Sequence, residues 1–130
     1  MKRNWFPRKG VAEVQALSLP WLVAEIEGSV VGYAYAVKWK TRSAYRHSVE
    51  TTIYLEHGQE SRGVGTILYS ELICVLRERG LHLAIGGVAQ PNEASVALHE
   101  KLGFQQVATF HQVGFKHDRW VDVAYWELLL

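Results

Sequence analysis

Along this chain the spacing of apolar residues changes from two to nearly four and back, and the changes mark out its elements. Trp21 to Ile26 and Ser29 to Val37 are apolar and β-branched runs parted only by Glu27 and Gly28, which predicts two strands joined by a tight hairpin turn. Ser48 to Leu55, SVETTIYL, has the β propensity of a third strand. Lys38 to His47, before it, is polar and basic and reads as a loop. From Val64 the period lengthens. Val64, Leu68, Leu72, Val75 and Leu76 share one helical face, Ser70, Glu71, Arg77 and Glu78 lie off it, and Gly80 stops the helix. Leu81 to Ala89 reads as a buried strand. Pro91 and Asn92 then open a second helix with Ala94, Ala97 and Leu98 on one side and Gly103 as its stop. Phe104 to Val113 and Val121 to Leu129 are two closing strands, with Gly114 to Trp120, GFKHDRW, expected as a polar loop between them.

Strand, helix and strand in succession imply a parallel crossover, so the expected class is α/β with a mixed sheet. The loop before the first helix then lies at the carboxyl end of the Ser48 to Leu55 strand, where open α/β sheets collect ligands. Gly63 and Gly65 let a bound group approach the unpaired N–H groups of the helix start, which suits a phosphate or pyrophosphate. Two glycines before a helix also serve tight packed turns. Gly58 and Gly63 have P-loop spacing, but Val64 and Gly65 stand where Lys and Ser or Thr are required. A dinucleotide fingerprint would need a glycine at Leu68, so neither nucleotide class is supported.

Glu50 is the anomaly of its strand. A carboxylate there points to water, pairs with a charge, or serves as a general base with an environment-raised pKa. Alternation sets Glu50, Thr52 and Tyr54 on one face and Val49, Thr51, Ile53 and Leu55 on the other. Gly86 and Gly87 weaken their strand as a ladder, which marks a bulge or the close approach of a backbone or ligand.

At 130 residues, with 48% hydrophobic and 21% charged positions, the chain has the composition of one soluble globular domain, residues 1–130, with 1–20 as a short tail. A net charge of +1 gives no argument for a nucleic-acid partner. Lys2, Arg3, Arg8 and Lys9 read as a solvated basic tail. Neither a signal peptide nor a membrane-spanning run is expected, because Glu13 and Gln15 interrupt VAEVQAL and no apolar stretch is long enough. Cys74 is the only cysteine, which fits a reducing cytoplasm. No histidine has a metal-ligand partner at a recognised spacing, so no metal is expected.

The order of these parts, with WKTRSAYRHSVETTIYL, GVGTILYSEL, PNEASVALHEKLGF and GFKHDRWVDVAYWEL, resembles the GNAT superfamily of acetyl-CoA-dependent N-acetyltransferases. Within it the resemblance is to phosphinothricin N-acetyltransferases and their methionine sulfoximine relatives, and it runs from about Trp21 to the C-terminus. It implies a GNAT-like acetyl-CoA-binding fold with a shortened N-terminal part. It places the cofactor pyrophosphate on Ser61, Arg62, Gly63, Val64, Gly65 and Thr66, and its pantetheine arm beside Ile53, Tyr54 and Leu55, with Asn92 opposite. Glu50 is implied as the base that deprotonates the amine. Lys40, Arg42 and Tyr45 are implied to receive a small anionic amino acid or glutamate analogue, and His117 to serve the same pocket. The same fold could serve another amine, or bind acetyl-CoA with little turnover.

Three departures from the family pattern stand out. Glu60 occupies the first position of the phosphate-loop motif, and His99 stands where many members have a tyrosine general acid. The strand and two helices that normally precede Trp21 are missing or reduced. A sheet edge uncovered in that way implies a homodimer whose partner completes the acceptor pocket.

Overall fold

The computed structural model describes residues 2–4, 19–58 and 63–130. Seven strands form one sheet: β1 (Lys2–Asn4), β2 (Trp21–Ile26), β3 (Ser29–Lys38), β4 (Ser48–Leu55), β5 (Leu83–Ala89), β6 (Gln105–Lys116) and β7 (Arg119–Leu129). Their spatial order is β1-β2-β3-β4-β5-β7-β6, and among these described strands only the central pair β4 and β5 is parallel. The predicted hairpin is present. Glu27 and Gly28 both have positive φ, 51° and 81°, the conformation of a two-residue turn whose twist matches its strands.

Two helices, α1 (Val64–Glu78) and α2 (Glu93–Lys101), join β4 to β5 and β5 to β6. The first packs over β2, β3 and β4, and the second meets β5. Leu68, Tyr69, Leu72, Ile73 and Leu76 are the buried side of α1, while Val75 is only half-buried. The opposing sheet face carries Leu22, Ala24, Ala34 and Ala36, all buried; the small alanines let the helix sit close. Alternation in β4 holds as expected, with Val49 and Thr51 buried under the helices and Tyr54 53% exposed on the other face. That other face carries a stack of aromatic rings, Trp21 on Tyr35 at 4.2 Å and Tyr33 on Tyr54 at 5.2 Å.

Three expectations change. Residues 1–20 are not a tail throughout, because Lys2–Asn4 pairs antiparallel with β2 as an edge strand; residues 5–18, with Arg8 and Lys9, lie outside the described residues. Ala94 and Ala97 are exposed, and α2 instead buries His99. GFKHDRW is not a loop. Its residues continue both strands, and His117 and Asp118 alone make the turn with φ of 53° and 57°. Two short polar side chains that tolerate the left-handed region supply the turn without glycine. Pairing of β5 with β7 ends at Ala89 and Val123, so the hairpin end beyond it is a two-stranded arm.

Candidate active site

The central strands part. Pairing between β4 and β5 covers only Ser48 to Thr51 on one strand and Leu83 to Gly86 on the other, yet β4 runs on to Leu55 and β5 to Ala89. From Thr52 onward, therefore, the inner edge of β4 has no strand beside it among the described residues, and its backbone groups are open to a ligand. A cleft of about 340 Å³ occupies the gap on the helix side, lined by Ile53, Tyr54, Leu55, Gly65, Thr66, Asn92, Ala94, Ser95 and Leu98.

Both helix starts face this cleft. Gly63 caps α1 with φ of 75°, a left-handed conformation that costs other residues about 1–2 kcal/mol. Gly65 lines the cleft and is a packing glycine as well: a Cβ there would come within 2.9 Å of Leu55 Cδ1 and 3.3 Å of Leu98 Cδ2. Val64 is buried, which leaves only its backbone for a ligand. Asn92 caps α2 by accepting the Ser95 N–H at 3.1 Å, and the amide nitrogen is the part of its side chain left over for the cleft. Ser61, Arg62 and Glu60 lie outside the described residues. Ala94, Ser95 and Leu98 were missed in the sequence, although PNEAS, read as a second helix start, was the signal that pointed to them.

Behind the opening, on the opposite face, stands Glu50. It is half-buried, and burial raises its carboxyl above the ordinary carboxylate range while the charge of Lys40 pulls it back down. Lys40 Nζ in turn lies 4.8 Å from the centre of the Trp39 ring. Trp39, Lys40, Thr41, Arg42 and Tyr45 line a second hollow of about 370 Å³, so the three expected acceptor residues are brought together there. Arg42 and Tyr45 flank and form a short 3-10 turn, Ser43–Tyr45, and both are exposed. His117 is at the exposed hairpin tip, in the turn between β6 and β7.

Thr51, Tyr69 and His99 close the parting point on the helix face. Thr51 Oγ1 lies 2.6 Å from Tyr69 Oη, which lies 3.0 Å from His99 Nε2, and His99 Nδ1 lies 2.8 Å from the Ser95 carbonyl. A carbonyl only accepts, so Nδ1 donates to it; in the neutral ring Nε2 accepts from Tyr69, and Thr51 donates to Tyr69. Burial lowers the pKa of His99 and raises that of Tyr69. Gly86 leaves the space they fill: a Cβ there would meet His99 Nε2 at 2.6 Å. Both nitrogens of His99 are thus used within the fold. Among the described residues no cluster of three or more His, Cys, Asp or Glu side chains could hold a metal.

An opened parallel pair, with helix starts at its mouth and a carboxylate behind it, defines a class of domains that take an extended cofactor into the sheet for group transfer. The model of the acetyltransferase (GNAT) domain matches residues 5–125, and the chain belongs to that family of acetyl-CoA-dependent N-acetyltransferases. It is 39% identical over 123 residues to a phosphinothricin N-acetyltransferase of Streptomyces viridochromogenes, covering 93% of this chain and 67% of that one. It is 38% identical over 116 residues to the L-methionine sulfoximine/L-methionine sulfone acetyltransferase of Salmonella typhimurium, covering 89% and 68%. A GNAT superfamily phosphinothricin acetyltransferase from Sinorhizobium meliloti, solved in complex with acetyl-CoA, superposes with a TM-score of 0.86 at 37% identity, covering 92% of this chain and 65% of that one. The chain therefore spans about two thirds of the length of these relatives.

Proposed function

We propose that this chain moves the acetyl group of acetyl-CoA to the α-amine of a small anionic amino acid or glutamate analogue. The observation that carries the reading is the place of Glu50, at the parting of β4 and β5, with the cleft on one face and the basic hollow on the other. The residues fit the cofactor: an unpaired strand edge suits an amide-bearing arm, and helix starts suit its phosphates. Bound there, acetyl-CoA supplies an activated thioester.

With acetyl-CoA bound, Glu50 would take the proton of the amine whose nitrogen bonds to the thioester carbon as the carbon–sulfur bond breaks, and coenzyme A would leave as the thiolate. A backbone N–H near Ile53 stabilises the oxyanion. Arg42 and Lys40 hold the acceptor's anionic group, with Tyr45 beside them. A polyamine acceptor is disfavoured by the same cations. We assign the work to the cytoplasm, where Cys74, exposed and free, stays reduced.

We further infer a homodimer, on a different surface from the N-terminal edge. The two-stranded arm exposes Val113, Phe115 and Trp120 by 60% or more, and a hairpin alone is marginal in water. A second copy covers it about a two-fold axis, and the arm carries His117 to the partner's side.

Thiol release with acetyl-CoA and a panel of amino acids, beside calorimetric titration with acetyl-CoA, tests the activity. Release with anionic amino acids and little with polyamines is expected. Acetyl-CoA binding with no release on any acceptor would leave a binding domain instead.

A further inference from the structure

The second glycine of the pair has its own tenant. Gly87 lies on β5 opposite Tyr125 of β7, on the sheet face that carries Glu50, and is the first β5 residue beyond the last pair with β4. A Cβ at Gly87 would come within 2.9 Å of Tyr125 Cε1 and 3.3 Å of Cζ. The phenol ring is therefore laid across the β5 backbone, a position that any other residue at 87 would obstruct. From there it reaches toward β4, close enough for its ionisation to feel the charge of Glu50. Trp39 meets the ring edge-on at 6.2 Å, and Phe110 meets it at 5.7 Å and 85°.

Tyr125 is thus held between the wall of the basic hollow and Phe110, itself 53% exposed. Its hydroxyl makes no hydrogen bond with any described residue. Burial and the nearby Glu50 charge both raise its pKa, so it keeps its proton and remains a donor. A half-buried ring whose donor is unused among the described residues, beside the proposed base, is addressed to a ligand on the acceptor side of the sheet.

We propose that Tyr125, seated on Gly87, is a specificity-determining residue of the acceptor site: its ring packs on the carbon stem of the acceptor's side chain and its hydroxyl donates to an oxygen or nitrogen farther along that side chain. This rests on the acetyltransferase reading of the same site. It assigns the hollow at Trp39 to Tyr45 to the acceptor's anionic group and the Tyr125–Phe110 side to the rest of the molecule. Acceptors whose side chain combines a short hydrocarbon stem with a hydrogen-bond acceptor are then preferred over pure hydrocarbons.

Steady-state thiol release by the full chain and by Tyr125→Phe, Tyr125→Leu and Gly87→Ala, with each acceptor varied at saturating acetyl-CoA and the reverse, tests it. Tyr125→Phe is expected to raise KM about five- to tenfold for oxygen-tipped side chains, the loss of one hydrogen bond. It should leave hydrocarbon side chains and the KM for acetyl-CoA unchanged. Tyr125→Leu and Gly87→Ala should raise KM for both kinds of acceptor. Unchanged acceptor KM values and ranking in Tyr125→Phe and Tyr125→Leu, with the unaltered chain active, would overturn the assignment alone. Equal rises for acetyl-CoA and acceptor would overturn it as a merely structural effect. No thiol release by the unaltered chain on any amino acid would overturn the acetyltransferase reading, and this one with it.

Discussion

A half-buried carboxylate with one neighbouring ammonium keeps its proton to a higher pH than one in water, since burial disfavours its charged form. As the proposed base, Glu50 would act only when ionised, so activity should fall as pH drops through its raised pKa. Lys40 pulls that pKa down, and Lys40→Met should shift the acid limb of the pH–rate profile to higher pH. A limb that stays in place would mean that another group sets it. Arg42 is exposed, so its pairing with an acceptor is screened by water. Arg42→Ala should raise KM for an anionic amino acid by about fivefold, as suits roughly 1 kcal/mol, and leave that for acetyl-CoA unchanged. Glu50 was legible in the sequence because a lone carboxylate contradicts an apolar strand. Tyr125 was not, because its meaning depends on Gly87 of a different strand, and nothing in VDVAYWEL shows which backbone it will cross.

Elements were easier to read than their contacts. Both helices, the first hairpin and the glutamate strand follow from period, turn residues and caps, all local properties. The glycines show where locality ends: Gly65 is set by Leu55 and Leu98, and Gly86 by His99, partners remote in sequence. GFKHDRW misled because its middle, Lys116 to Arg119, is polar and charged and resembles a loop, although Lys116 and Arg119 still belong to the strands. At the parting of β4 and β5, Gly86→Ala should displace His99 and cost about 1–3 kcal/mol, read as a lower denaturant midpoint with unchanged slope. His99 is held neutral by burial, its pKa below 6.5. The unfolded chain takes up a proton near 6.5 that the folded one refuses, so stability is full above that pH and declines below it until the folded pKa is passed. His99→Gln should flatten that decline in denaturation curves between neutral and mildly acid pH. An equally steep decline in the variant would assign it to other groups.

For the molecule as a whole, the described sheet opens between β4 and β5, and the proposed reading brings a cofactor in the cleft and an acceptor in the basic hollow to that opening from opposite faces. The arm beyond β5 exposes Val113, Phe115 and Trp120 together. Light scattering should give twice the chain mass, and Trp120→Ser should give a monomer with reduced turnover; a fully active monomer would contradict the dimer. Ile53 to Leu55 and Thr66, to which the resemblance assigned the cofactor, lie together along the cleft because their place follows the main chain. The place of His117 depends on tertiary placement, and the fold carries it to an exposed hairpin tip. All of this turns on Glu50 as the group that links the two faces, and one comparison tests it: turnover and acetyl-CoA affinity of Glu50→Gln against the unaltered chain. The side chain keeps its shape and loses its basicity, so turnover should fall by about a hundredfold or more while affinity for acetyl-CoA is unchanged. Full turnover by Glu50→Gln at neutral pH would contradict the account.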